Sequence, residues 1–239
     1  MRPGTGAPGR HKRAPCPHRP VALLAGTGRG EKRLQGPARP GAGPARHDRR
    51  RTKENTVKKR ILISQLVTLA LLIAARPESW KLFWAGLAVM ALGQAVRLAA
   101  SAAIVKSRTL TTTGPYAAVR NPLYLGTMLM TAGLMLMLSA PSRPLLTAGL
   151  WLFAAAAFGW IYYVTIKAEE AFLLSVYGAD FEKYKGEAPA ILPCLRGAAG
   201  FFDLAAYSSE VFRKNKEWRG LSAAAALAAF VAARIHYAF

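Results

Sequence analysis

The chain is 239 residues long, 52% hydrophobic, and carries a formal charge of +21, a blend that an ordinary soluble domain does not show. Residues 1–60 hold seventeen Lys and Arg against three acidic residues, so most of the basicity is a tail. Two cysteines, Cys16 and Cys194, exclude a disulfide scaffold, and no Cys/His spacing fits a zinc finger.

The first fifty residues are Arg, Pro, Gly and Ala in no periodic order. Such a composition buries too little apolar surface to offset the entropy of ordering, so residues 1–56 are expected to be a disordered tail. The apolar run 21–24 is far too short for a signal-peptide core. His11, Cys16 and His18 are interrupted by Pro15 and Pro17 and are not expected to hold a metal. The arginines suit anionic phospholipid headgroups. Nucleic acid is not an expected partner, because no aromatics interleave the bases and no folded module positions them. A true start further in, near Val57, is a third reading of the tail.

After Lys58-Lys59-Arg60 the chain turns apolar in blocks at 61–75, 82–105, 122–140 and 145–166. Long blocks with so little charge read as membrane helices, which predicts an all-α, polytopic membrane bundle with its core in residues 57–195. Residues 196–239 form an aromatic and basic interfacial segment followed by an alanine-rich stretch, 221–233, which either makes a fifth span or lies against the bundle. The tail, the loop bearing Lys106, Arg108 and Arg120, and the segment 167–220 put the bases on one side; the opposite loops hold Arg76, Lys81 and Arg143. Retention of positive charge inside then makes the amino terminus and these loops cytoplasmic, in a bacterial inner membrane.

Polar residues gather toward that side. The second block brings Gln94 and Arg97 into the bilayer, and Arg97 there needs a carboxylate partner, a water-filled cavity or a snorkelling route. Asn121 before Pro122 reads as a helix start, with the amide capping free N–H groups and proline at the first helical position. Such a start aims a positive helix end at the cytoplasmic mouth, where Arg120 stands beside it and Tyr124 shares its face. The fourth block ends in Glu169-Glu170, of which only one can point squarely into a bundle pocket. The helix is predicted to continue to a stop at Gly178, with Asp180 capping a further turn that holds Phe181 and Tyr184. As ordinary features, Tyr116 and Tyr124 are interfacial aromatics and the acidic pair is solvated.

Taken in order, Gly114-Pro115-Tyr116, Arg120-Asn121-Pro122-Leu123-Tyr124-Leu125-Gly126, Glu169-Glu170, Leu173, Tyr177-Gly178, Tyr184 and the proline-containing run 189–193 resemble the integral-membrane methyltransferases of the isoprenylcysteine carboxyl methyltransferase and phospholipid N-methyltransferase group. Arg97 also matches an arginine common in the preceding helix of bacterial relatives. The resemblance covers roughly residues 80–195. It implies S-adenosylmethionine as methyl donor, bound at the cytoplasmic face without the Gly-x-Gly-x-x-Gly of soluble nucleotide folds. Histidine is the commoner residue at the position of Asn121, and an amide cannot take up a proton, so a base role there is in doubt.

The resemblance makes Arg97, Arg120, Asn121 and Tyr124 the catalytic candidates. Gly114, Tyr116, Asn121, Pro122, Tyr124, Glu169, Glu170 and Tyr184 are the donor-binding candidates. Arg120 and the helix start at Pro122 would hold a carboxylate, Glu170 the donor's ammonium or ribose hydroxyls, and Tyr116 or Tyr124 would sit near the sulfonium. These side chains are expected to meet in one cavity beneath the inner leaflet. Expected partners are membrane lipids and a lipid-like or small-molecule methyl acceptor, with no protein partner inferred. Two other readings stand beside this one: an NADPH-dependent membrane reductase of the steroid-reductase type, which has a related helix start, and a non-enzymatic membrane scaffold or lipid-binding protein.

Overall fold

A computed structural model describes residues 44–104, 110–215 and 217–237, with side chains from Lys59 onward except at 195, 196, 204, 214 and 218. Within these residues the fold is all-α, with no strand. The helices are α1 (Pro44–Ala74), α2 (Trp80–Ala103), α3 (Pro115–Ala118), α4 (Pro122–Leu138), α5 (Pro144–Tyr177), α6 (Ala179–Glu187), α7 (Ser209–Asn215) and α8 (Trp218–Tyr237). Two 3₁₀ turns, Leu195–Phe202 and Leu204–Ala206, join α6 to α7. Most of the expected tail, residues 1–43, lies outside the described residues, as do Lys106 and Arg108. Helix α1 begins at Pro44, inside the stretch assigned to the tail by composition.

Among the described residues three helices are long and apolar enough to cross a membrane: α2, α5 and residues Arg219–Tyr237 of α8. The fifth candidate therefore has the length and composition of a span. Helix α4 has 17 residues, about 25 Å of rise, which is short of a full crossing. Helix α5 has 34 residues, about 51 Å, and overshoots the hydrocarbon by several turns. Glu169 and Glu170 lie in the last third of that length, with Lys167 beside them.

Among the described residues helices α2 and α4 make the most extensive contact, and glycine is the reason. Gly86 and Gly93 on α2 face Gly133 and Gly126 on α4, so the two backbones touch. A Cβ at Gly93 would stand 2.6 Å from the Gly126 carbonyl oxygen, and one at Gly133 would stand 2.6 Å from the Met90 amide nitrogen. Inside a bilayer apolar burial drives no helix pairing, so close van der Waals contact over small residues does that work. The core lies against this pair, where Leu71, Phe83, Met90, Leu134, Met137, Phe158 and Val231 bring in α1, α5 and α8.

The end bearing Arg76 and Arg143 is fastened by polar clasps. The Ser142 amide donates to Glu78 Oε1 at 2.7 Å and so joins the two short loops. The Ser142 hydroxyl and then its amide hold the Glu78 carboxyl below its usual range. Arg234 is buried, and its guanidinium donates to the Leu72 carbonyl, a cation at the negative end of α1. Helices α1 and α8 therefore run parallel, and α8 traverses the bundle.

Gly178 differs from expectation in what it caps. At φ +51° it ends α5, its amide donating to the Leu174 carbonyl, and it also stands at the start of α6. Asp180 lies within the first turn of α6 and is not its cap. Glycine takes this left-handed conformation cheaply, so the chain reverses without a spacer residue.

Candidate active site

Gly114 has φ +61°, which turns the chain into α3 and drives Tyr116 inward. The Tyr116 ring is 5% exposed and packs on Ala100 and Ala103 of α2. Its hydroxyl is buried with no hydrogen-bond partner among the described residues. Burial first, and then the nearby Tyr184, Glu169, Glu217 and Tyr124, push the Tyr116 phenol above its ordinary range. An orphaned phenol among acidic groups is a costly arrangement for a protein to keep without use.

Arg120 and Asn121 turn out to be a clamp. The Arg120 guanidinium donates to Glu170 Oε1 at 2.8 Å and to the Lys185 carbonyl at 2.9 Å, with a further bond to the Ala188 carbonyl. Its backbone amide donates to the Pro189 carbonyl at 2.8 Å. The Asn121 side-chain amide donates to the Ala190 carbonyl at 3.0 Å. Asn121 does stand at the N-cap position with proline after it, but its side chain makes no capping bond. The expected cap is absent because the irregular segment 188–190 supplies bare carbonyls that must be satisfied, and this amide is the donor within reach. Tyr184 joins the same structure, donating to the Tyr116 carbonyl at 2.7 Å.

Tyr124 sits one turn into α4, its hydroxyl within reach of the Glu169 carboxylate and its ring 6.0 Å from that of Tyr162. The acidic pair thus divides as helix geometry requires, Glu170 to Arg120 and Glu169 to Tyr124. Arg60 of α1 closes this edge by donating to Thr165 Oγ1 of α5 at 2.9 Å.

Arg97 belongs to a second focus. Its guanidinium donates to Thr127 Oγ1 at 2.6 Å and pairs with Glu217 Oε2 at 2.9 Å. Gly126 makes the crossing possible, because a Cβ there would meet Arg97 Cγ at 2.6 Å. Glu217 arrives because α7 docks on the end of α2, with the Ser208 amide bonded to the Ala102 carbonyl and the Asn215 amide to the Ser101 carbonyl. Sequence reasoning gave Arg97 a carboxylate partner as one of three options without finding which. The available signal was that Glu217 is the sole acidic residue after Glu210.

The expected single cavity lies elsewhere. A cavity of about 600 Å³ lies between α1, α2, α4, α5 and α8. Thr127 and Tyr162, neighbours of Arg97 and Tyr124, line it, whereas Arg97, Tyr124 and the acidic pair do not. The charged groups are spent on one another and on backbone, which leaves the hollow one turn deeper. Among the described residues no cluster of His, Cys, Asp and Glu could hold a metal ion.

With this geometry in hand, comparison with known proteins gives one result. Residues 81–180 match the phospholipid methyltransferase family. No curated protein and no solved structure matches the chain. The matched stretch runs from α2 into α6 and contains Arg97, Gly114, Tyr116, Arg120, Asn121, Pro122, Tyr124, Glu169 and Glu170; Tyr184 and Glu217 lie outside it. That stretch, 100 of the 239 residues, is similar to this membrane methyltransferase family, in agreement with the resemblance drawn from the motifs.

Proposed function

We propose that the protein is an S-adenosylmethionine-dependent methyltransferase that acts at the cytoplasmic face on an amphiphilic or small-molecule acceptor. The observation that carries this reading is that the family-matched stretch gathers Tyr116, Tyr124 and Glu169 at one end of the bundle. That end also bears Lys59, Arg60, Lys167, Lys183 and Lys185, the bias of a cytoplasmic surface.

The donor supplies an electrophilic methyl on a sulfonium, and the groups present fit a cation with an ammonium and hydroxyls. Tyr116 offers a buried hydroxyl without a hydrogen-bond partner among the described residues. Glu169 offers carboxylate charge, and Tyr124 offers a ring face to a cation. Glu170 has one oxygen engaged by Arg120, so its contribution is to hold Arg120 and through it the segment 185–190. Asn121 commits one amide N–H to the Ala190 carbonyl, and since an amide does not take up a proton it is a positioning residue with no base role. The chain's share of the acceleration is orientation and exclusion of water.

Titration of the purified protein in detergent with S-adenosylmethionine and with NADPH tests this reading. Binding of the first alone is the expected result. Binding of NADPH, or of neither, replaces the proposal with the reductase or the scaffold. The acceptor is then sought by mass spectrometry of lipids and small molecules from cells with and without the gene, as a product heavier by one methylene.

A further inference from the structure

The hollow between α1 and α8 is a cleft with an open side. Its floor, Met90, Leu134 and Phe158, is buried. Its rim is not: Gln65 and Leu69 on α1 and Ala223 and Ala226 on α8 line it and are exposed. Ala223 and Ala226 belong to a helix with the length and composition of a membrane span, so in a bilayer the open side faces hydrocarbon and not water.

The lining decides what fits there. Its hydroxyls are spent inside their own helices: Ser64 donates to the Ile61 carbonyl at 2.9 Å, Thr68 to that of Ser64 at 2.8 Å, Thr127 to that of Leu123 at 2.8 Å and Thr131 to that of Thr127 at 3.0 Å. No charged side chain lines the cleft, and its one amide, Gln65, is at the rim. A polar head would give up its water there for few donors in exchange, whereas an alkyl chain gains contacts that an empty cleft forfeits. A volume of about 600 Å³ is room for one such chain.

Charge lies above the cleft. Lys59 and Arg60 stand about one turn before Ser64 on α1. Arg60 donates through Nη1 to Thr165 Oγ1 at 2.9 Å, and among the described residues neither cation makes an ion pair. The rise along α1 from Arg60 to Leu72 is about 18 Å, a little more than half of a hydrocarbon core of about 30 Å. A headgroup at Lys59 and Arg60 therefore lays its chain along the cleft within a single leaflet.

We infer that the cleft between α1 and α8 holds one acyl chain of a bilayer phospholipid whose anionic head is held by Lys59 and Arg60. The lipid is a fixed part of the bundle wall, and its site stands whether or not the methyltransferase reading does. Two cations without counter-ions favour an anionic head over a zwitterionic one by about fivefold each.

The test reconstitutes the full chain in phosphatidylcholine vesicles doped, in separate samples, with phosphatidylglycerol or phosphatidylcholine that carries a diazirine in one acyl chain. Photoadducts are mapped by mass spectrometry. The phosphatidylglycerol probe is expected to label Leu69, Leu72 and Leu227 severalfold above Leu152 and Phe153, exposed residues of α5 outside the cleft. It should label the cleft at least about fivefold more than the phosphatidylcholine probe, and the double variant Lys59→Gln with Arg60→Gln should abolish that preference. Ala226→Phe, which puts a ring in the mouth, should lower cleft labelling to the level at Leu152 with Tm kept; Ala223→Phe serves if the first variant fails to fold. Cleft labelling no higher than at Leu152, equal labelling by the two probes, or undiminished labelling in the filled variants overturns the inference. So does a dimer in native mass spectrometry whose cleft is shielded from both probes.

Discussion

Arg97 of α2 and Glu217, 120 residues later, form an ion pair with Nη2 and Oε2 2.9 Å apart. The pair ties the lead-in of α8 to the α2–α4 hairpin at the depth where a lone guanidinium would be costly. Glu217→Gln should therefore destabilise the protein by about 2 kcal/mol, less than for a fully buried pair because the Arg97 side chain is 23% exposed. The double variant Arg97→Met with Glu217→Leu should recover most of that loss. Thermal unfolding in detergent measures both, and strictly additive losses would show that the two residues are not coupled.

The split of the acidic doublet sets a second expectation. Glu170→Gln weakens the hold on Arg120, so both Tm and S-adenosylmethionine affinity should fall. Glu169→Gln should lower affinity tenfold or more, on the order of 1.4 kcal/mol, with Tm nearly unchanged. Arg120→Lys should follow Glu170→Gln, because an ammonium cannot serve Glu170, Lys185 and Ala188 together. Increased proteolysis within residues 185–194 is the readout for the clamp, and identical behaviour of the two glutamate variants would contradict the division.

The glycine seam predicts a sharp positional contrast. Gly93→Leu forces α2 off α4, since even its Cβ would lie 2.7 Å from the Met130 amide nitrogen; a loss of at least about 3 kcal/mol, or failure to fold, is expected. Gly149→Ala, with nothing within 4 Å, should be neutral or slightly stabilising through helix propensity. Yield of monodisperse protein and Tm distinguish the two.

Burial holds the Tyr184 phenol above its ordinary value, so the folded chain keeps a proton that the unfolded chain releases first. The stabilisation is complete below the unfolded value of about 10 and is lost as pH rises through the folded one. Tyr184→Phe removes this dependence together with the bond to the Tyr116 carbonyl, worth about 1 kcal/mol. The lead of the wild type in Tm over Tyr184→Phe should shrink above pH of about 10. A lead constant with pH would show that Tyr184 titrates alike in both states.

Much of the bundle was legible because apolar blocks and glycine or proline punctuation are local signals. The helices α2, α4 and α5 fall close to the blocks at 82–105, 122–140 and 145–166, and Gly178 ends α5 as its φ demands. The site was legible only in composition. The local rule makes Asn121 a cap, but the Ala190 carbonyl takes its amide, and no local pattern encodes that. Arg120 likewise looked like an anion receptor until the segment 185–190 filled its donors. Glu217 was overlooked because it lies outside the motif region and reaches Arg97 only through the docking of α7, a long-range event.

The glycine seam has a last consequence for how any guest from the bilayer would get in. With two backbones in direct touch, α2 and α4 move as one stiff plank, and Arg97 and Tyr124 ride on it at fixed separation. Any parting that admits a lipid-borne molecule from the bilayer must then occur along the seams where α1, α5 and α8 lean on that plank.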